Sequence, residues 1–304
     1  MASLKDLKNR INSVKNTRKI TKAMQMVAAA KLRKAQAAAE SSRPYADGIG
    51  SIIVNLTHSM AGVSDAPELL VGRDKHGTVL LVVATADRGL CGGFNTNIVR
   101  QAREEIATLE QSGKTVKLLL IGRKGREQLE RLYADRIVDF ISLKEERTLH
   151  VGIARDIGNR IISMFNGGEF DTCKLIYAEF KSIMTQKPVS RTLVPAAAAI
   201  DACDNEGEPA TDRVMPGFDG AIYTYEPDEI GILRTLLPLY INTQIFSALL
   251  ENQAGEMGSK MTAMDNATRN AGDMIDKLTL TYNRTRQAKI TSELIEIISG
   301  AEAL

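Results

Sequence analysis

Residues 257–282 read MGSKMTAMDNATRNAGDMIDKLTLTY, and their spacing decides the fold. Met257, Met261, Met264, Thr268, Ala271, Ile275, Leu278 and Tyr282 alternate by four and three without a slip. The positions between are mostly Gly, Ser, Asn, Asp, Lys, Arg and Thr. A narrow apolar seam repeating about every 3.5 residues predicts a coiled coil. Only Thr268 breaks the apolar series. The surrounding stretch, 239–304, has no proline. If fully helical it would reach roughly 99 Å at 1.5 Å per residue.

The seam needs a partner, and the other end of the chain supplies one. Leu4, Leu7, Ile11 and Val14 recur at helical spacing after Ser3, a suitable N-cap. Arg18 interrupts this heptad, and the apolar face is expected to resume at Ile20, Met24, Val27 and Ala28. Alanines at 35–39 suit close approach of another helix, and Ile49, Ile53, Leu56 and Met60 continue the pattern. Pro44 is the only obvious point for a kink or restart. Two long helices from opposite ends of one chain imply an antiparallel pair.

Between them the period changes. Thr78–Thr85 (TVLLVVAT) is a β-branched apolar run of the kind buried in parallel sheets. A helix at about 95–111 follows, with Ile98, Ala102, Ile106 and Leu109 on one face. Then come strand 116–121, helix 125–133, strand 137–140, helix 148–165, strand 173–180 and a last strand near 189–194. Alternating βα units predict a small parallel or mixed sheet covered by helices. Four of the eight prolines lie between 209 and 238, and residues 196–220 read as a loop. The expected divisions are an N-terminal coiled-coil helix (1–62), a Rossmann-like α/β domain (72–196), a linker (197–220) and a C-terminal coiled-coil helix (221–304).

Composition agrees with long helices rather than a β-sandwich. The 304 residues hold no Trp, seven Phe and seven Tyr, against 25% charged residues. Three cysteines give neither a disulfide framework nor zinc-ligand spacing. The most apolar short run, Val79–Ala84, is far below the roughly 18 residues of a spanning helix. The net charge of +2 conceals a basic N-terminus. Residues 1–34 hold ten Lys or Arg against Asp6 alone, which is +9, so the remainder sums to −7. Such an arm suits nucleic acid, an acidic protein surface or a membrane face.

No active-site constellation emerges. Asp87–Asn95 (DRGLCGGFN) follows a strand and opens a helix, as a phosphate cradle would, yet fits neither the Walker nor the dinucleotide pattern. A tight strand-to-helix turn is the plainer reading. Gly113-Lys114-Thr115 leads into a strand, and Thr108 stands where a Walker loop needs glycine. His58, His76 and His150 are scattered, so neither a metal nor a cofactor is expected. Cys91 beside Arg88 reads as a small residue in a turn.

Three segments together resemble one family. RINSVKNTRKITKAMQMVAAA (10–30), DRGLCGGFN (87–95) and ITSELIEIISGAEA (290–303) look like the gamma subunit of F-type ATP synthase. Ile290, Thr291, Glu293, Glu296, Gly300 and Ala301 match its C-terminal pattern, and the resemblance spans residues 1–304. Residues 200–218 depart from it as a longer linker, with Cys203 alone rather than in a redox pair.

The resemblance implies a central rotor shaft inside a ring of three alpha and three beta subunits, beside the epsilon subunit and the membrane c-ring. It implies proton-coupled ATP synthesis or hydrolysis by the complex, a non-catalytic role for this chain, and no direct small-molecule ligand. A peripheral position on the cytoplasmic face of a bacterial inner membrane follows. By motif position, Lys19, Lys22 and Met24 resemble a collar meeting an acidic segment of beta. Arg286, Gln287 and Thr291 resemble residues that catch a beta loop. Ile290, Leu294, Ile297, Ile298, Ala301 and Leu304 form an apolar shaft tip able to turn in an apolar sleeve. The acids near this tip and the lysines near the N-terminus oppose their helix dipoles, so both ends are expected to depend on partners.

Two other classes remain open on residues alone. A nucleic-acid-binding adaptor would use the basic helix, although residues 1–34 contain no aromatic to stack on bases. A nucleotide-dependent enzyme would need a carboxylate or metal constellation, which the sequence does not show.

Overall fold

The computed structural model describes residues 3–59, 66–73, 77–146, 148–197 and 229–302. The 200–218 linker, Cys203, His76 and Leu304 lie outside them. In chain order the elements are α1 (Leu4–Ser59), α2 (Glu68–Val71), β1 (Thr78–Ala84), α3 (Phe94–Gln111) and β2 (Thr115–Ile121). They continue with α4 (Arg123–Tyr133), a short 3-10 turn, β3 (Ile137–Ile141), α5 (Val151–Asn166), β4 (Thr172–Phe180), β5 (Gln186–Val194) and α6 (Glu229–Glu302). The chain forms two compact units, residues 1–30 with 260–304, and residues 31–259.

The larger unit is built on a five-stranded sheet of order β3-β2-β1-β4-β5. Strands β3, β2, β1 and β4 run parallel, and β5 returns antiparallel to β4. β1 is central and buried on both faces because its alternate residues serve two cores. Leu80, Val82 and Ala84 join Ile157, Ile161 and Phe165 of α5, Ile49, Ile53 and Leu56 of α1, and Leu237, Ile241 and Ile245 of α6. Val79, Leu81 and Val83 face Phe94, Ile98, Ala102 and Ile106 of α3. This is why a continuous apolar run, rather than an alternating one, marks the strand.

Three details correct the sequence reading. α1 runs through Pro44 without a break. α5 begins at Val151 rather than at 148, because the backbone is still extended at His150, its N-cap. β5 starts at Gln186, three residues before the apolar signal, because its pairing with β4 already begins at Phe180–Gln186. The Gly-Lys-Thr triplet is a helix end. Gly113 takes a left-handed φ of 75°, and Lys114 N donates to Leu109 O at 3.0 Å, closing α3 before β2.

Candidate functional site

In the smaller unit α1 and α6 pair along the predicted seam. Met264, Ala271 and Ile275 of α6 are buried, as are Leu7, Ile11 and Ala28 of α1. α1 starts with a reciprocal cap, in which Asp6 N donates to Ser3 Oγ at 3.2 Å and Ser3 N to Asp6 Oδ2 at 3.3 Å. An acid in the first turn offsets part of the dipole mismatch expected there.

The middle of the pair differs from expectation. Ile20 and Val27 are both 59% exposed and do not belong to the seam. The heptad instead continues without a phase change through Arg18, Thr21, Gln25 and Ala28. Thr21 and Thr268 hydroxyls meet at 2.7 Å, and Gln25 Nε2 donates to Asp265 Oδ1 at 2.9 Å. Arg18 lies against Gly272, its guanidinium carbon within van der Waals reach of where a Cβ on the glycine would stand. The break at Thr268 is therefore one half of a polar layer. Such layers fix register because a slipped pairing strands polar groups against apolar ones.

The collar residues sit where this layer turns the apolar face outward. Lys19 and Lys22 are exposed, Lys22 Nζ donates to Gln25 Oε1 at 3.0 Å, and Met24 is half-buried. Ile20, Met26 and Val27 beside them are exposed apolar residues, an unpartnered stripe among cations.

Continuing the antiparallel register places Leu7 opposite Tyr282 and Leu4 opposite Thr285. Tyr282 and Thr285 are half-buried, whereas every residue from Arg286 to Ser299 is exposed. α6 thus extends alone beyond the pair for roughly 25 Å. Arg286, Gln287 and Thr291 occupy its first turns, and Thr291 Oγ1 donates to Gln287 O at 3.0 Å. Ile290, Leu294, Ile297 and Ile298 are 48–68% exposed on one face, joined by Ile295, which the sequence reading did not single out. Ala301 continues the helix, although its side chain is not among those described. An apolar helix end of this length, standing free, marks a surface that a partner covers.

In the larger unit the loop Asp87–Asn95 forms a strand-to-helix turn, held by its own side chains. Asp87 accepts from Arg123 N (3.0 Å), Ser142 Oγ (3.0 Å) and Leu143 N (2.8 Å). Asn95 accepts from Ala86 N at 2.9 Å and donates to Cys91 Sγ at 3.2 Å. Leu90 and Gly92 take left-handed φ values of 64° and 56° to make the turn. The cavity beside the loop measures about 60 Å³, whereas small-molecule sites run from about 300 Å³ upward. Among the described residues no three His, Cys, Asp or Glu side chains gather as a metal site, and no helix is long and apolar enough to cross a membrane.

A helix pair with a polar register layer and a free apolar end, together with a mixed α/β sheet, defines a shaft-type protein that works through contacts made by its helices. The sequence profile of the ATP synthase family fits residues 3–304, and the chain belongs to that family. It is 60% identical over 304 residues to the ATP synthase gamma chain of Maricaulis maris, and 56% identical to that of Brucella canis. Each alignment covers all of both chains. Among solved structures it is similar to a chain of the central stalk and c-ring of the Tetrahymena thermophila mitochondrial ATP synthase. That match has a TM-score of 0.60 and 27% identity, over 82% of this chain and 99% of that one. A chain of the Euglena gracilis mitochondrial enzyme shares the fold at TM-score 0.64 and 17% identity, covering 99% and 94%. The nucleic-acid adaptor finds no support in these relatives.

Proposed function

We propose that the chain is the gamma, central-stalk rotor subunit of a proton-translocating F-type ATP synthase. It couples rotation of the membrane c-ring to synthesis or hydrolysis of ATP on the alpha and beta subunits. The observation that carries this reading is the solitary end of α6 from Arg286 onward, apolar on one face and exposed throughout. Its relatives' identity as gamma chains over their full length supports it.

An asymmetric shaft within a ring of equivalent sites touches each site differently. A site is driven to bind or release nucleotide only by the difference in contact energy between shaft positions. The chain contributes stiffness and contacts, and takes no catalytic part itself. Lys19, Lys22 and Met24 would meet an acidic beta segment, with Coulomb attraction added to a small apolar contact. Arg286, Gln287 and Thr291 would hydrogen-bond a beta loop at one shaft angle. Ile290, Leu294, Ile297, Ile298, Ala301 and Leu304 offer no directional bond, which suits turning. The subunit is peripheral to the membrane and, with its alpha, beta, epsilon and c-ring partners, stands on the cytoplasmic face of a bacterial inner membrane.

The test is recovery of the tagged chain from its native cells, with ATP hydrolysis measured on the complex and on the chain alone. Alpha and beta subunits in stoichiometric amounts, with activity only in the complex, are expected. Replacing Arg286 and Gln287 together by Ala should leave assembly intact and lower hydrolysis by about tenfold, the effect of one charged hydrogen bond. Recovery of an active chain alone would refute the reading, and an assembled double variant with full activity would refute the catch assigned to Arg286 and Gln287.

A further inference from the structure

In an open α/β sheet the crevice for ligands lies beyond the carboxyl ends of the strands, where neighbouring crossovers leave in opposite directions. Here that point falls between β1 and β4. α6 occupies it. Ser259 Oγ donates to Cys91 O in the glycine loop at 2.7 Å, and Ala178 N of β4 donates to the buried Asn252 Oδ1 at 3.2 Å. Two glycines on the same stretch let the helix come down onto the sheet end. A Cβ on Gly255 would lie 3.0 Å from Phe94 Cε2, and one on Gly258 3.4 Å from Ile183 O. Asn252, Gly255 and Ser259 follow one another at helical spacing, so one face of α6 carries all three contacts.

We infer that this face is a rotational lock. The glycine loop accepts a helix side chain, the Ser259 hydroxyl, where related architectures bind a phosphate, and Ser259 with Asn252 fixes the angle at which α6 is seated on the α/β domain. Apolar packing alone would hold the helix but would resist its rolling about its own axis only weakly, because dispersion contacts have little direction. Two hydrogen bonds to fixed backbone groups on different segments, Cys91 O and Ala178 N, supply the direction. Torque entering the α/β domain then passes into α6 without slip. Ser259 and Asn252 are positioning residues in this scheme, which rests on the rotor reading above.

The experiment uses the assembled complex in vesicles, with Ser259→Val and Ser259→Thr as a matched pair. Ser259 lines the cavity of about 60 Å³, and the two variants share one branched shape, so the difference between them isolates the hydroxyl. Two quantities are read, amide exchange across residues 250–260 and protons pumped per ATP hydrolysed. Ser259→Val should speed exchange about fivefold, the effect of one net hydrogen bond. It should also lower the pumping ratio while hydrolysis persists, and Ser259→Thr should restore both. Gly255→Val, which lifts the helix by crowding Phe94, should reproduce the loss independently. Unchanged exchange in Ser259→Val, or faster exchange with an unaltered pumping ratio, would overturn the lock. Failure of the rotor reading is distinct, because the unaltered chain would then form no pumping complex.

Discussion

The hydroxyl pair in the middle of the shaft gives a quantitative test of the register argument. Thr268 Oγ1 lies 2.7 Å from Met264 O and 2.7 Å from Thr21 Oγ1, and Thr21 Oγ1 is 3.1 Å from Arg18 O. Each hydroxyl has one proton, so one of the two donates across the pair while the other donates to its own helix, Thr268 to Met264 O or Thr21 to Arg18 O. Thr21→Val removes the cross-helix bond but leaves Thr268 its donation to Met264. Thr268→Val leaves Thr21 able to turn to Arg18 O. Neither variant strands a buried donor, so each should cost about 1 kcal/mol and not the 2–3 kcal/mol of an orphaned group. The double variant replaces a polar layer with two β-branched apolar residues of similar shape. It should be about as stable as either single, giving a coupling energy of about 1 kcal/mol. Urea unfolding of the full chain followed by helical circular dichroism measures all four corners of the cycle. Strictly additive losses would refute the shared hydrogen bond. A double variant that is less stable than the sum would refute the expectation that two apolar residues can replace the layer at little further cost.

Two further outcomes follow from the α/β unit. A Cβ on Gly158 would lie 1.8 Å from Oδ1 of the buried Asn242, so Gly158→Ala should lower stability by about 1–3 kcal/mol in urea unfolding; an unchanged midpoint would mean that Asn242 swings aside without cost. Burial pushes the Cys173 thiol well above its ordinary value, so the native state keeps its proton when the unfolded state loses it. Above about pH 8.5 stability should therefore fall by up to about 1.4 kcal/mol per pH unit from this group, and comparison with Cys173→Ala between pH 7 and 10 isolates the slope. Parallel pH profiles for the two proteins would refute it.

The sheet and its helices were legible because Val79–Ala84 and residues 98–109 carry their burial as apolar periodicity. The shaft was legible only where its seam is apolar. At Arg18, Thr21 and Gln25 the heptad keeps its phase through polar residues, and apolar spacing led instead to Ile20 and Val27, which are exposed. Hydrogen bonding across 247 residues of sequence leaves no periodic trace in either helix. The same holds for Ser259 and Asn252, whose partners are backbone atoms of the loop and of β4. Gly255 and Gly258 read as weak points in a helix, and their purpose appears only when Phe94 and Ile183 are seen beneath them. The shaft-tip face at Ile290, Leu294, Ile297 and Ile298 was readable from spacing, but what covers it belongs to other chains.

The pairing of the two chain ends also sets a timetable. Thr21 leaves the ribosome 247 residues before Thr268, a wait of roughly 10–50 s at ordinary rates of synthesis. Throughout that interval Leu7, Ile11 and Ala28 have no native partner, while β1 to β5 emerge one after another and complete their sheet only once Val194 has been made. The nascent chain therefore passes through a stage in which a sheet still lacking α6 on one face trails an uncovered amphipathic helix. Holding that helix apart from other apolar surfaces is a task for the cell, set by the order in which this sequence is written.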